Sequence, residues 1–233
     1  MPRTSRVVAV GSPHHVTQRG NHRLDVFTSD QLRRVYLGLL KEHGGRYGLR
    51  VLAYCLMSNH VHLVVAPERE TSLAATLRHA HGRFAQYWNT VHEQTGHLWQ
   101  NRFFSCPVDP GAVWRVVRYV EQNPVRAGMT RRAIDYPWSS ARYHAGVAPS
   151  EIVSSSGWEW STGDWLGLLD GSSEAEWGEI RRATYSGRPY GSEQYVRQLE
   201  QTLGRRLMPS KGGRPRTWKT KPHQLCLSTS APA

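Results

Sequence analysis

The stretch CLMSNHVHLVVAP, from Cys55 to Pro67, decides how this chain is read. Together with the preceding GLRVLAYCLM it gives two runs of β-branched and apolar residues separated by Met57-Ser58-Asn59, the pattern of an antiparallel hairpin. Successive side chains of a strand face opposite ways. Val61, Leu63 and Val65 therefore turn to one side, while His60, His62 and Val64 turn to the other. Residues two apart lie about 6.5–7 Å apart along a strand, a gap that two inclined imidazoles close on one ion at roughly 2.0–2.2 Å. The spacing fits equally well two histidines packed at a sheet edge, each bonded to a carbonyl.

Working outward, HHVTQRGNHRLDVF gives a first strand over residues 13–19 that enters a Gly-Asn turn. Ser29-Asp30 caps a helix to about His43, with Leu32, Val35, Tyr36, Leu39 and Leu40 recurring at helical spacing. A second helix spans Ser72 to about Val91, carrying Leu73, Leu77, Phe84, Trp88 and Val91 on one face. The run NRFFSCPVD is a further strand, and PGAVWRVVRYVEQN a third helix that Pro124 stops. This order predicts an α+β fold with helices on one face of a mainly antiparallel sheet and the other face open.

Residues 1–148 read as the main domain, 149–173 as a linker, 174–222 as a small helical basic extension and 223–233 as a disordered tail. Residues 181–222 hold eleven Lys and Arg against two Glu, and the 233-residue chain carries a net charge of +12. Such a surplus, mostly Arg, points to a nucleic-acid partner. No apolar run approaches the roughly 20 residues of a membrane span and the N-terminus lacks a secretory pattern, so a cytoplasmic, nucleoid-associated protein is expected. Cys55, Cys106 and Cys226 are odd in number and lack metal-binding spacing, which leaves them as packing residues.

The third helix adds chemistry to the histidine pair. Val113, Val116, Val117 and Val120 make its buried stripe, which sets Tyr119 and Asn123 one turn apart on a flank. An amide oxygen at Asn123 fits a His-His-Asn cation site with the Tyr119 phenol beside it. Equally, Asn123 fits a helix cap ahead of Pro124. Tyr36, within an apolar stripe, reads as core.

The ordered motifs SNHVHLVV, GHLWQNRFF, RYVEQNPVRAG and YPWSSARYHAG resemble the IS200-like Y1 transposases, particularly the REP-associated tyrosine transposases of the HUH endonuclease group. The likeness spans about residues 13–146. It implies a ferredoxin-like, RRM-related sheet, His60 and His62 as the ligand pair, Tyr119 as nucleophile and Asn123 as the third ligand, where insertion-sequence relatives commonly have Gln. It also implies a Mg²⁺- or Mn²⁺-dependent endonuclease and strand transferase that forms a 5′-phosphotyrosine on single-stranded or hairpin DNA. The rivals are a non-catalytic nucleic-acid-binding regulator and a hydrolase using activated water. Monomer and homodimer both fit.

DNA contacts fall to Arg19, Arg23 and Arg102 for phosphate, and to Trp99, with Phe103 as a lesser choice, for base stacking. In the extension, Arg188 lies in a Gly-Arg-Pro turn, and KGGRPRTWK resembles an AT-hook in which Arg214 and Arg216 enter a narrow minor groove. A basic tail without groove preference fits the same residues.

Overall fold

Ser29 opens the first helix as its sequence predicts, its Oγ accepting the Leu32 N–H at 3.3 Å. The computed structural model describes residues 5–154, 162–171 and 174–208. Its first half runs β1 (His14–Arg19), α1 (Asp30–Tyr47), β2 (Leu49–Leu56), β3 (His60–Pro67), α2 (Ser72–Val91) and β4 (Phe104–Pro107). The strands lie in the order β2-β3-β1-β4 with every neighbouring pair antiparallel, which is the ferredoxin-like arrangement. α1 outruns its expected end at His43, although Gly44-Gly45 reads as a stop. A Cβ at Gly44 would lie 2.9 Å from the Leu49 carbonyl, so glycine is there to let the helix approach β2. The helix closes instead at Gly48, in the left-handed region with φ 68°.

The two faces of the sheet are covered differently. Val16, Val61, Leu63 and Val65 meet Leu40 of α1 and Leu73, Leu77 and Phe84 of α2 in one buried cluster. The opposite face, expected open, is covered too. There Ala53, Cys55, Val64, Ala66 and Cys106 pack against α3 (Val113–Glu121), α6 (Thr162–Asp170) and α7 (Glu174–Ser186) through Val116, Val117, Val120, Trp165 and Ile180. The small residues on that face let helices come close, and the valine stripe of α3 has nowhere else to bury. Each of those valines contributes about 1.5–3 kcal/mol by burial. Helices on both faces thus replace the one-sided layer.

Pro124 does less than stop α3. After Gln122 the chain makes another short turn, α4 (Asn123–Arg126), in whose first turn a missing proline N–H costs nothing. α5 (Ala141–His144) follows, and α6 falls within the segment read as a linker. α7 packs on β4, and Tyr190 extends that edge through a bridge to Val108. α8 (Glu193–Leu203) sets Tyr195 and Leu199 against Val7 and Ala9 in a third small cluster. Gly191 makes this join possible: its φ is 145°, and a Cβ would sit 2.1 Å from that of Asp109. Asp109 Oδ2 accepts from Ser192 N–H at 3.1 Å and from Ser192 Oγ at 2.7 Å. Arg214, Arg216 and Cys226 lie outside the described residues, as do all residues beyond Met208.

Candidate catalytic face

Register places the histidines. Across from β3, Arg19 of β1 opposes His60 and Thr17 opposes His62, while His15 opposes Val64. Since opposed residues share a face, His15 joins His60 and His62. Its ring stacks on His62 with centroids 5.2 Å apart and planes 4° apart, and the His60 and His62 rings are 4.9 Å apart.

The hydrogen bonds fix which nitrogens carry protons. Thr184 of α7 donates its hydroxyl to the Ile180 carbonyl at 2.7 Å, so it accepts from His15 Nδ1–H at 2.7 Å. Burial holds the His15 pKa down to about 3, helped by the Arg126 charge, so the ring is neutral and its Nε2 is bare. That nitrogen accepts from His62 Nδ1–H at 3.0 Å. On the other ring, His60 Nδ1–H donates to Asn59 Oδ1 at 2.6 Å. Neither His60 Nε2 nor His62 Nε2 has a hydrogen-bond partner among the described residues. Burial lowers His60 to about 4, with Arg19 and Arg126 adding to it. It lowers His62 well below 6.5, with His60 and His15 adding to it. Both rings are therefore neutral at pH 7 with a lone pair free, the state in which imidazole binds cations. No cluster of three or more His, Cys, Asp or Glu suited to an ion occurs among the described residues, so the pair fits a cation only with oxygen from elsewhere.

Tyr119 hangs from α3 over this face. Its ring lies edge-on to His15 at 5.5 Å and to His62 at 5.6 Å, and the residue is 3% exposed. Burial raises its pKa, and the charges of Arg126 and Arg181 counter part of that rise. The Arg126 guanidinium stacks 4.2 Å from the Tyr119 ring centre and 4.4 Å from that of Trp177. Arg126 also donates from Nη2 to Asn123 Oδ1 at 2.6 Å. Asn123 Nδ2 in turn donates to the carbonyls of Tyr119 at 3.1 Å and Val120 at 3.0 Å. Asn123 thus sits at the helix end with its oxygen facing a guanidinium, whose charge opposes a second cation there.

Two residues beyond Tyr119, the fully buried Glu121 anchors the helix. Its carboxylate accepts from Ser140 Oγ at 2.6 Å, His144 Nδ1 at 2.6 Å and Trp165 Nε1 at 2.9 Å. Ser140 precedes α5, His144 ends it and Trp165 lies in α6, so Glu121 ties α3 to both helices.

The remaining sequence candidates scatter. Arg19 is half-buried on the histidine face; Arg23, Arg102 and Arg188 are exposed, the last beside a separate cavity with Arg181 and Arg182. Trp99 packs on the helix side of the sheet, 5.0 Å from His81 and 5.8 Å from Phe84, with its indole N–H donated to the His81 carbonyl at 3.0 Å. Phe103 is part-buried under Arg6. Sequence reading missed His15, Arg126 and Thr184. His15 was detectable from the β1–β3 register, which sets it opposite Val64 and so on the same side of the sheet as His62, and Arg126 from its i+7 spacing to Tyr119. Thr184 carried no local signal.

The sheet, with paired histidines on one face and a tyrosine-bearing helix laid over them, is of the ferredoxin-like α+β class. Residues 11–123 match the family model described as transposase IS200 like. A REP-associated tyrosine transposase solved bound to a REP hairpin is similar in fold, with a TM-score of 0.54 and 18% identity over 69% of this chain and 92% of that one. A candidate transposase of Deinococcus radiodurans R1 aligns at 16% identity over 52% of this chain and 97% of that one, with a TM-score of 0.37. No curated protein matches the chain. No helix among the described residues is long and apolar enough to cross a membrane.

Proposed function

We propose that the chain is a metal-dependent single-stranded DNA endonuclease and strand transferase acting on hairpin or repeat DNA. The observation that carries this reading is the Tyr119 ring lying 5.6 Å from that of His62. The family-model match over residues 11–123 supports it, as does the hairpin bound by the similar REP-associated transposase.

In this reading His60 Nε2 and His62 Nε2 would hold Mg²⁺ or Mn²⁺, with a substrate oxygen, or Asn123 Oδ1 once released from Arg126, completing the site. When bound, such an ion supplies Lewis-acid polarisation of a phosphate oxygen. Tyr119 Oη attacks phosphorus, the new O–P bond replaces the P–O3′ bond, and the phenolic proton passes through solvent to the departing 3′-oxygen. A 5′-phosphotyrosine and a free 3′-hydroxyl result. Attack by another 3′-hydroxyl reverses the step and joins strands, with no nucleotide cofactor. Arg126, over the Tyr119 ring, steadies negative charge growing on the phenol oxygen.

The 3% exposure of Tyr119 favours a second reading, DNA binding without cleavage. One assay separates them. A labelled single-stranded hairpin is incubated with protein and Mn²⁺ or Mg²⁺, and covalent adduct is read on a denaturing gel. Adduct with the wild type and none with Tyr119→Phe supports the transferase. Adduct that survives Tyr119→Phe overturns the nucleophile, bound DNA with no adduct leaves the binding reading, and non-covalent cutting by Tyr119→Phe makes the protein a hydrolase.

A further inference from the structure

We propose that Phe104 and Tyr185 form a stacking site for one unpaired DNA base, fed by a phosphate path along Arg102, Arg6 and Arg205. The proposal rests on the DNA-processing reading above and adds where the strand runs. Strand register puts Phe104 of β4 opposite Thr17 of β1, which itself opposes His62 of β3. The three residues form a row across the sheet on the histidine face, with about 4.8 Å between neighbouring strands. Phe104 is 40% exposed at the open end of that row, and Tyr185 of α7 is 52% exposed beside it. Their rings meet at 72° with centroids 5.0 Å apart. Two aromatic rings near right angles form a notch that a planar base fills by stacking on one ring and abutting the other. Phe104 projects from the sheet that carries the reactive groups and Tyr185 from the helix beside it, each keeping a large part of its surface in water, and base stacking is what such platforms do.

Charge supports the same occupant. Phe104 and Tyr185 line two adjoining cavities, which share Asn101 and Arg102 as well. One cavity adds Arg19 beside His60, and the other, of about 290 Å³, adds Arg6 and Arg205. Among the described residues, no carboxylate lines either cavity. Arg6 is lowered to about 10 by burial and by the charge of Arg102, as expected where cations gather without an anion. Arg6 is also held in place, its guanidinium 3.6 Å above the Phe103 ring centre and donating to the Phe103 carbonyl at 3.0 Å. Arg205 donates to the Ser5 carbonyl at 3.0 Å, closing the far end. A basic groove that starts at the histidine face and passes an aromatic notch fits a single strand. A duplex would hide its base faces from the notch.

The test uses the full chain in EDTA, with single-stranded oligonucleotides carrying 2-aminopurine at successive positions. The wild type is expected to quench one position and to bind more weakly when that position is abasic. Phe104→Ala and Tyr185→Ala should each weaken binding about 5- to 150-fold, abolish that quench and leave the melting temperature unchanged. Phe104→Trp should restore both binding and quench. Arg205→Ala should flatten the salt dependence while keeping the quench. If the wild type forms the Tyr119 adduct yet both alanine variants bind with quench intact, the stacking site is wrong and the transferase reading stands. If abasic DNA binds as tightly as intact DNA, the groove reads phosphate alone and the proposal is likewise overturned. If the wild type neither binds single strands nor forms adduct, both readings fall.

Discussion

Replacing Glu121 offers a sharp test of how the tyrosine helix is held. The carboxylate is fully buried and serves three donors, with Ser140 and His144 on Oε1 and Trp165 on Oε2. In Glu121→Gln the side chain keeps its shape but has one oxygen. If that oxygen serves Ser140 and His144, the new NH₂ meets the indole N–H, donor against donor. One orphaned buried donor costs about 1–3 kcal/mol, and weakening two charge-assisted bonds adds to it, so a loss of about 2–3 kcal/mol is expected. Glu121→Ala takes the carboxylate from all three donors, of which Ser140 Oγ keeps the Tyr54 carbonyl at 3.3 Å, and opens a cavity, for about 3 kcal/mol or more, a large share of the roughly 5–15 kcal/mol that stabilises a domain. Urea unfolding followed by tryptophan fluorescence measures both variants against the wild type. Because Glu121 stands two residues from Tyr119, the glutamine variant should also slow adduct formation, by about 100-fold for each 1 Å that the phenol moves. An alanine variant within about 1 kcal/mol of wild type would refute the anchoring role.

Three further outcomes follow from the same geometry. Thr184→Val removes the acceptor for His15 Nδ1–H and so loosens the chain that leaves His62 Nε2 bare; Mn²⁺ affinity by electron paramagnetic resonance should drop about 10-fold or more, and nitrogen NMR of the metal-free protein should show His62 mixing tautomers. Unchanged affinity and a single tautomer would dismiss the relay. Burial holds His14 down to about 4, and His15 and His81 to about 3. The unfolded chain takes up these protons below about pH 6.5, so stability should be flat above pH 7 and fall as pH drops from 6.5 toward 4, by up to ~1.4 kcal/mol per pH unit for each histidine. A denaturant midpoint that holds steady from pH 7 to 5 would contradict this. Gly191→Ala should destabilise by about 2 kcal/mol or more, through strain at positive φ and the clash with Asp109; a melting curve superimposed on wild type would dispose of that claim.

Local signals carried the first half of the fold. Ser29 caps a helix wherever it precedes a periodic apolar run, Ser72–Val91 keeps one stripe throughout, and the β2-β3 hairpin shows in alternation alone. The shorter β4 was less legible: only Phe104–Pro107 pairs with β1, and the exposed aromatic proved to be Phe104 rather than Trp99 or Phe103. Whether an aromatic faces the helices or the histidines depends on register, which a one-residue slip reverses. The second helical layer was hidden for another reason. Trp165 and Ile180 pack on the sheet from segments that composition marks as linker and basic extension, and only long-range contact reveals it. His60, His62 and Tyr119 could be picked from spacing and resemblance. The proton order that leaves His62 Nε2 bare could not, because it runs through Thr184, 122 positions further along.

The central claim is that one phenol makes the covalent bond to DNA. Trypsin cuts after Arg118 and Arg126, releasing the peptide Tyr119–Arg126. After incubation with a single-stranded hairpin and Mn²⁺, nuclease trimming and digestion, mass spectrometry should find that peptide heavier by a nucleotide remnant fragmenting from its first residue. A cleaved strand whose remnant sits on another peptide, or on none, would contradict the account.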